Sequence, residues 1–349
     1  MKIVGINHKI GEKVALIHQL EEKRVLVAGG AGFVGSQLVR ELLAINAEVL
    51  VYDSFLHGTR ENLMDIRKDI QLVVGDLLDE WKLSRTFADF RPEYVFDFVG
   101  DTYVPTAYDV PKRFFRINVE GTINILMASK MHDVERVIYI SSTEVYGEAQ
   151  SIPMKEDHIL DPLNTYAVSK LAADRVCFTF QKEHDIPVII ARIYNCYGPR
   201  ESEPYVIPEI ITQLDKSDVV NLGNIEARRD FTYVADTARG LINVLCSDIP
   251  DGEAVNVGSG KSYSIKELVS IIAELMGKND YEIKIDPKRL RRLDIEVFQS
   301  DSSKLHAATG WQPTIDIHQG MQQTIDWFNA HGRRWSWEDW VDGTVLYDA

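Results

Sequence analysis

The sequence predicts an α/β fold, a doubly wound parallel sheet followed by a smaller C-terminal lobe. From residue 24 to about residue 198, short apolar runs alternate with helical patterns, which is typical of parallel strands joined by crossover helices. A glycine-rich turn follows the first run and opens the first helical pattern. Beyond residue 198, prolines interrupt the chain and the alternation becomes irregular. Because ligands bind at the carboxyl ends of parallel strands, the residues just after each run are the first candidates for a site.

The apolar runs and helical patterns give the expected elements in order. In the first part we expect strands at 24–28, 48–52, 70–74, 94–98, 136–140 and 187–192, and helices at 33–45, 79–90, 112–131 and 165–184. In the second part we expect helices at 208–214, 234–247, 264–276 and 317–330, and strands at 219–222, 254–257 and 281–285. These elements divide the chain into two main parts. The large domain covers 21–198 together with about 230–248, and the smaller lobe covers 199–229 and 249–330. An extension over 1–20 precedes them, and a tail over 331–349 follows.

Composition excludes several classes of protein. A formal net charge of −15 over 349 residues disfavours non-specific binding to nucleic acid or to an anionic membrane. No apolar stretch approaches the ~20 residues of a membrane span, and the first 20 residues lack a signal-peptide core. The three cysteines are widely spaced, which argues against a disulfide framework or a metal cluster. We therefore expect a cytoplasmic protein, with the tail tryptophans packed against the body or a neighbouring subunit.

The glycine turn after the first run is the first candidate binding site. Gly29 permits the tight turn, Gly32 lets phosphate approach the backbone, and Gly35 lets the helix sit close on the strand. The turn directs backbone N–H groups and a helix N-terminus at one point, which suits a pyrophosphate. Residues 21–198 are therefore predicted to bind a dinucleotide. The expected contacts in this turn are Gly29, Gly32, Phe33, Val34 and Gly35.

Asp53, at the end of the second run, predicts which dinucleotide binds. An acid at this point can hold both hydroxyls of the adenosine ribose, and its charge would repel a 2′-phosphate. Arg60 lies nearby in sequence and weakens that discrimination. The expected cofactor is NAD.

Tyr166 and Lys170 form the strongest chemical signal. Spaced four apart, they lie on one face of the helix at 165–184. A free tyrosine is a poor base at neutral pH, but a nearby ammonium favours the phenolate and is expected to lower its pKa. Such a pair removes the proton of a substrate hydroxyl while a nicotinamide takes the hydride from the same carbon. Ser142, at the end of the fifth run, is expected to share a hydrogen bond with Tyr166 and the substrate oxygen.

These features resemble the extended short-chain dehydrogenase/reductases, and within them the NAD-dependent nucleotide-sugar epimerases and dehydratases, over about residues 24–330. The resemblance implies a Rossmann domain with a C-terminal lobe that binds the nucleotide sugar. The matching segments are Gly29–Gly35, Asp53, Gly75-Asp76-Leu77, Asn118-Val-Glu-Gly-Thr122, Ser141-Ser-Thr-Glu-Val-Tyr-Gly147, Tyr166 with Lys170, Arg192-Ile-Tyr-Asn-Cys-Tyr-Gly-Pro-Arg200 and Arg229-Asp-Phe-Thr-Tyr-Val-Ala-Asp236.

The resemblance also implies roles for individual residues. Asp76 meets the adenine, and Lys170 also holds the nicotinamide ribose. Asn195 contacts the nucleotide sugar, and two arginines, Arg228 and Arg291, neutralise its diphosphate, unless they are ordinary surface arginines. The implied cofactor set is completed by Leu77, Val99 and Asn118.

The family's usual quaternary structure is a homodimer through a four-helix bundle. The helices at 112–131 and 165–184 would form it, and core burial explains their apolar residues equally well. Those residues are Ile123, Ile125, Leu126, Val176 and Phe180.

The chain departs from the family after the fourth run. It reads Asp97-Phe-Val-Gly100 where the family usually reads His-Leu-Ala-Ala. Asp101 replaces the more usual glutamine or glutamate, and we assign it no role.

Glu144 decides which reaction the sequence predicts. It is placed like the base of the dehydratase and decarboxylase branches, although a structural hydrogen-bond acceptor is an alternative. The favoured hypothesis is 4,6-dehydration: Tyr166 takes the O4 proton while the C4 hydride goes to NAD, Glu144 takes the C5 proton, water leaves from C6, and the hydride returns to C6. Thr143 occupies the position where some dehydratases carry an acidic aspartate, and other dehydratases manage with a small hydroxyl residue.

Three other functions compete with dehydration. A 4-epimerase of UDP-hexoses, UDP-N-acetylhexosamines or UDP-uronic acids needs no carboxylate at 144. UDP-glucuronate decarboxylation is less favoured, because the segment 297–301 offers no arginine for a substrate carboxylate. A non-catalytic NAD-binding protein is disfavoured because Tyr166 and Lys170 are both present.

Overall fold

A computed structural model describes residues 18–201, 205–290 and 293–332, and within these ranges twelve strands form three sheets. The large sheet has seven parallel strands in the order β10-β6-β5-β4-β1-β2-β3, beside a three-stranded sheet (β11-β9-β7) and a pair (β12-β8). The strands are β1 (Arg24–Ala28), β2 (Glu48–Asp53), β3 (Gln71–Val74), β4 (Tyr94–Asp97), β5 (Arg136–Ser142), β6 (Val188–Ile193), β7 (Asn195–Tyr197), β8 (Val219–Leu222), β9 (Arg228–Tyr233), β10 (Ala254–Val257), β11 (Ser262–Ser264) and β12 (Glu282–Ile285).

Helices cover both faces of the large sheet, as the doubly wound prediction requires. Alternate residues of the central strands point to opposite faces: Val25 and Val27 pack on one side, and Leu26 on the other. The α-helices are α1 (Phe33–Ala44), α2 (Glu80–Phe90), α3 (Val104–Ala107), α4 (Pro111–Phe115), α5 (Gly121–Met131), α6 (Thr165–His184), α7 (Val206–Lys216), α8 (Val234–Leu245), α9 (Ile265–Leu275), α10 (Ser303–Thr309) and α11 (Ile317–His331).

The two faces have separate cores. Helices α1 and α8 bury one face with Leu38 and Leu241, while α2, α5 and α6 bury the other with Phe87, Leu126 and Ala173. The predicted α/β class is confirmed.

A third core holds the smaller lobe together. It joins α7, α9 and α11 to β8 and β9 through side chains such as Ile210, Leu268 and Met321. β9 begins with three successive charged residues, Arg228, Arg229 and Asp230, so the sequence did not identify this strand. Four other strands and α-helices were not predicted: β7, β11, α3 and α10.

Two expectations about elements need correction. The strand at 254–257, expected in the smaller lobe, is an edge strand of the large sheet and pairs with β6, because the chain returns there after α8. The helix expected over 112–131 is divided into α4, a π-helical turn (Arg116–Glu120) and α5. The tail tryptophans, residues 1–17 and Arg291 lie outside the described residues.

In the part of the chain that the structure describes, no helix combines the length and apolar character needed to cross a membrane.

Candidate functional site

A large cavity of about 980 Å³ opens at the carboxyl ends of the central strands. Its walls come from both the large domain and the smaller lobe. Sequence-predicted residues on its surface are Gly29, Gly32, Phe33, Val34, Gly35, Asp53, Asp76, Leu77, Val99, Ser142, Thr143, Glu144, Tyr166, Lys170 and Asn195.

The glycine turn forms one end of this cavity. Gly29 has a φ of +78°, and a Cβ on Gly35 would stand 2.3 Å from the Gly29 carbonyl oxygen, so a side chain at either position would disturb the turn. Helix α1 begins at Phe33 without a side-chain cap, which leaves its first N–H groups available to an anion. The turn therefore fits the pyrophosphate of a dinucleotide.

Asp53 lies beside this turn at the end of β2. Its carboxylate accepts hydrogen bonds from the backbone N–H groups of Ala31 and Phe55, both at 2.8 Å. Burial raises its pKa, and these two hydrogen bonds act in the opposite direction by favouring the charged form. The carboxylate is thus fixed in position at the cavity wall, where a ribose could meet it.

Asn118 does not reach the cavity surface. It is fully buried; its amide oxygen accepts from the backbone N–H of Asp101 at 2.8 Å, and its amide nitrogen donates to Ser169 Oγ at 2.8 Å. It ties the segment after β4 to helix α6. The resemblance implied a cofactor contact, but the geometry gives Asn118 a supporting position behind the site.

Tyr166 and Lys170 line the floor of the cavity from α6. Tyr166 packs edge-on against Phe114 and is 9% exposed, and Lys170 is 3% exposed. Burial lowers the pKa of Lys170 to about 8.

The pKa of Tyr166 does not follow the expectation from the sequence. Burial raises it, the hydrogen bond with Ser142 lowers it, and the negative charges of Glu144 and Asp101 raise it again. The lowering expected from Lys170 is not found: burial and these two carboxylates set the direction, because both disfavour the charged phenolate.

The end of β5 and the turn after it place three residues at the same floor of the cavity: Ser142, Thr143 and Glu144. Ser142 Oγ accepts a hydrogen bond from the Glu144 backbone N–H at 3.2 Å, which starts a short 3₁₀ turn. The Glu144 carboxylate accepts from Asn164 Nδ2 at 2.6 Å, and Asn164 also caps α6. One asparagine thus links the carboxylate to the helix that carries Tyr166.

The smaller lobe supplies the opposite end of the cavity. The prediction that Arg228 lies at this end is wrong. Arg228 does not line the cavity; it pairs with Glu267 at 3.0 Å and donates to the Ser262 carbonyl oxygen at 2.8 Å. Its neighbour Arg229 lines the cavity instead and pairs with Asp294 at 2.9 Å. Successive residues of a strand point to opposite faces, so only one of the two can reach the cavity.

Other residues of this end were missed. Arg289 lines the cavity and pairs with Glu209 at 2.8 Å, and Tyr205 contributes a hydroxyl that lies 3.1 Å from Thr102 Oγ1. The two-residue period of β9 could have identified Arg229, because Phe231 on the same face also lines the cavity. We see no comparable signal in the sequence for Arg289.

Comparisons with known proteins agree with this geometry. The family model described as GDP-mannose 4,6 dehydratase matches residues 26–324. The chain is 32% identical over 316 residues to the GDP-6-deoxy-D-mannose reductase of Pseudomonas aeruginosa, covering 87% of this chain and 97% of that protein.

Two solved structures have the same fold. DesIV, a dTDP-glucose 4,6-dehydratase from Streptomyces venezuelae solved with NAD, superposes with a TM-score of 0.82 at 29% identity and covers 88% of this chain and 97% of its own. UDP-glucose 4-epimerase from Thermotoga maritima, solved with UDP-glucose, gives 0.81 at 28% identity with coverages of 88% and 99%. The glycine turn and Asp53 agree with NAD as the cofactor. The chain belongs to the NAD-dependent nucleotide-sugar dehydratases and epimerases of the extended short-chain dehydrogenase/reductase family.

Proposed function

We propose that the protein is a nucleotide-sugar 4,6-dehydratase that produces a 4-keto-6-deoxy sugar. The observation that carries the proposal is the position of Glu144, on the surface of the cavity that Tyr166 and Lys170 also line. A carboxylate here supplies the second base that dehydration needs and that simple 4-epimerisation does not. The hydrogen bond from Asn164 keeps Glu144 in place.

The residues that line this part of the cavity have different roles in the proposed reaction. When bound, NAD would supply the hydride acceptor for carbon 4 of the sugar and the source of the hydride that returns to carbon 6. Tyr166 accepts the O4 proton on its phenolic oxygen, with Lys170 stabilising the phenolate and Ser142 orienting the sugar hydroxyl. Glu144 accepts the C5 proton, which the ketone at C4 makes acidic, and donates a proton to the C6 hydroxyl, which leaves as water. A proton from solvent returns to C5 when the hydride reaches C6. The Thr143 hydroxyl is buried next to Glu144 in sequence and supports that departing hydroxyl.

The resident groups of the smaller lobe suit a diphosphate. Arg229 and Arg289 bring two cations to the cavity, and Asn195 adds an amide at the start of β7. Charge-assisted hydrogen bonds from guanidinium groups are the usual way of holding phosphate oxygens. The proposed substrate is therefore a nucleoside-diphosphate hexose, bound with its diphosphate towards these residues and its sugar towards Tyr166.

Turnover of candidate nucleotide sugars in deuterated water tests the reaction. We expect a 4-keto-6-deoxy product that carries deuterium at C5, because the proton taken by Glu144 exchanges with solvent. Glu144→Gln should retain NAD binding and lose this exchange. A product without deuterium at C5, or one that keeps its C6 hydroxyl, would contradict the proposal.

The second candidate is a nucleotide-sugar 4-epimerase. It is favoured by Thr143, which puts no carboxylic acid beside Glu144 in the sequence, and by the similarity to the epimerase of Thermotoga maritima. The same experiment separates the two functions. A C4 epimer formed without solvent exchange would establish the epimerase.

We also propose a homodimer through α5 and α6. Ile125 and Leu126, two of the expected interface residues, are fully buried in the core and cannot contribute. Both helices nevertheless carry exposed apolar side chains that a second copy of the chain would cover. These are Met127 and Met131 of α5, and Val168 and Phe178 of α6.

A further inference from the structure

Asp97, the last residue of β4, is a buried carboxylate at the base of the proposed catalytic site. Its side chain is fully buried and accepts hydrogen bonds from Thr122 Oγ1 at 3.0 Å and from the Val99 backbone N–H at 3.2 Å. Within the described residues, no lysine or arginine forms an ion pair with it. Burying a carboxylate is costly unless a compensating charge lies close by, so its surroundings require an explanation.

The compensating charge is that of Lys170. Asp97 pairs with Tyr139 of β5 in the sheet register, and the Lys170 ammonium lies 4.6 Å from the centre of the Tyr139 ring. The segment that begins at Asp97 then passes beside this ammonium, since a Cβ on Gly100 would stand 3.7 Å from Lys170 Nζ. Carboxylate and ammonium therefore lie over the same part of the sheet.

Electrostatics connects the two groups in both directions. Burial raises the pKa of Asp97 to about 6, and the charge of Lys170 opposes that rise. Burial lowers the pKa of Lys170 to about 8, and the charge of Asp97 is the largest influence that opposes this fall. At neutral pH, each group thus favours the charged form of the other.

Two other carboxylates near Lys170 or Tyr166 are paired with arginines, and a third, Glu144, acts on Tyr166 and is held by the Asn164 amide. Asp174 forms an ion pair with Arg192 at 2.9 Å, and Asp101 forms one with Arg113 at 2.6 Å.

Two further titratable groups face Lys170, and both stay neutral. Burial raises the pKa of the Cys177 thiol and that of the Tyr139 phenol, so both keep their protons. Asp97 is left as the carboxylate in the described structure that faces Lys170 without a cation of its own.

We propose that Asp97 is a positioning residue of this site, whose buried carboxylate holds Lys170 in the ammonium form that the Tyr166 phenolate needs. The inference rests on the proposed roles of Tyr166 and Lys170 and adds the group that sets their working pH. It also gives a physical meaning to an acid where the resembling family usually has histidine.

The direction of the effect follows from the charges. Removing the negative charge of Asp97 withdraws the influence that opposes burial, so the pKa of Lys170 falls further below its ordinary value. Lys170 then loses its proton at a lower pH. A nearby opposite charge typically moves a pKa by about one unit or more. Without the Asp97 carboxylate, the alkaline limb of the pH–activity profile should therefore lie lower by about that amount.

The test follows Lys170 directly in the full-length, NAD-loaded protein. Lysine labelled with ¹³C at Cε reports each ammonium by NMR, and the signal missing from Lys170→Met identifies Lys170. We expect Asp97→Asn to titrate Lys170 about one pH unit lower than the wild type and to shift the alkaline limb of turnover equally. The matched control is Glu93→Gln, which removes a carboxylate just before the opposite end of β4 and should change neither reading.

Two results would overturn the inference: an unchanged Lys170 titration in Asp97→Asn, or an equal shift in Glu93→Gln. If Asp97→Asn does not fold, Asp97→His removes the same carboxylate with the residue usual in the family, and the same shift is expected. A wild-type protein that turns over no nucleotide sugar would refute the proposed function, whereas the NMR titration would still decide the role of Asp97.

Discussion

The two ends of the cavity are built in different ways. At the cofactor end, Gly29 and Gly35 follow each other along one strand-turn-helix unit, and Asp53 is hydrogen-bonded to that same turn through Ala31. At the other end, Arg229 and Arg289 come from separate segments. Each pairs with a carboxylate from yet another segment, Asp294 or Glu209.

This difference separates the binding of the cofactor from the binding of the substrate. Local backbone geometry is enough to form the cofactor end, because the glycine turn depends on short-range sterics. The substrate end exists only when the smaller lobe has packed on the large sheet. Changes at one end should therefore leave the other end's ligand largely unaffected, and the following substitutions examine that independence.

The largest effect is expected from Tyr166→Phe. Loss of the phenolic oxygen removes the proposed base, and proton transfer of this kind is worth about 10²- to 10⁴-fold in rate. Steady-state turnover of the nucleotide sugar should fall accordingly, while the Kd for NAD measured by calorimetry stays as in the wild type. Tyr94→Phe, which loses a hydroxyl bonded to Glu135 at the amino end of the sheet, is the matched control and should keep full turnover. A large loss of NAD affinity in Tyr166→Phe would show that the two ends are not independent.

Gly35→Ala should act on the cofactor end. The added Cβ would stand 2.3 Å from the Gly29 carbonyl oxygen, and forcing an extra methyl into a packed position costs about 1–3 kcal/mol. If the substitution destabilises the NAD-bound form of the turn by this amount, calorimetry should show NAD binding weakened by about tenfold to hundredfold. Gly277→Ala, where φ is +69° but the added Cβ meets no atom within 4 Å, is a control for backbone strain at a glycine away from the site. Unchanged NAD affinity in Gly35→Ala would refute the role of the turn.

Arg229→Met should act on the substrate end. A hydrogen bond to a charged group contributes about 1.5–3 kcal/mol, so KM for the nucleotide sugar should rise by about tenfold to hundredfold with NAD affinity preserved. The adjacent Arg228→Met removes an equally charged side chain that pairs with Glu267 outside the cavity, and its KM should not change. Equal effects of the two substitutions would mean that overall charge matters and the position of Arg229 does not.

The smallest effect on either end is expected from Phe178→Glu. A charge in the proposed α5–α6 interface should dissociate the dimer, so light scattering should give the mass of one 39.7 kDa chain. Trp81→Glu changes an even more exposed aromatic residue on α2 and should leave the mass as in the wild type. A wild-type protein that is already monomeric would refute the proposed dimer.

The structural elements that have a periodic or local signal in the sequence were predicted well. The parallel strands, the glycine turn, and the helix carrying Tyr166 and Lys170 all follow from patterns within about twenty residues. The short strands β8 and β12 were predicted, but β7, β9 and β11 were missed. In β9, Arg228, Arg229 and Asp230 stand where a half-buried strand usually alternates apolar and polar residues. What holds this segment is the buried Asp230, which accepts hydrogen bonds from Ser259 and Ser300, and no local pattern reveals those contacts.

Sequence alone was sufficient for the fold class, the glycine turn and the placement of Tyr166 and Lys170 on one helix, since each depends on residues that are neighbours in the chain. Folding in three dimensions selected Arg229 over Arg228, because only the face of β9 decides which guanidinium reaches the cavity. Folding also moved Asn118 behind the site and brought Asp97 close to Lys170. Desolvation and long-range charge depend on packing between distant segments, and that is why the raised pKa of Tyr166 was not expected from its spacing to Lys170.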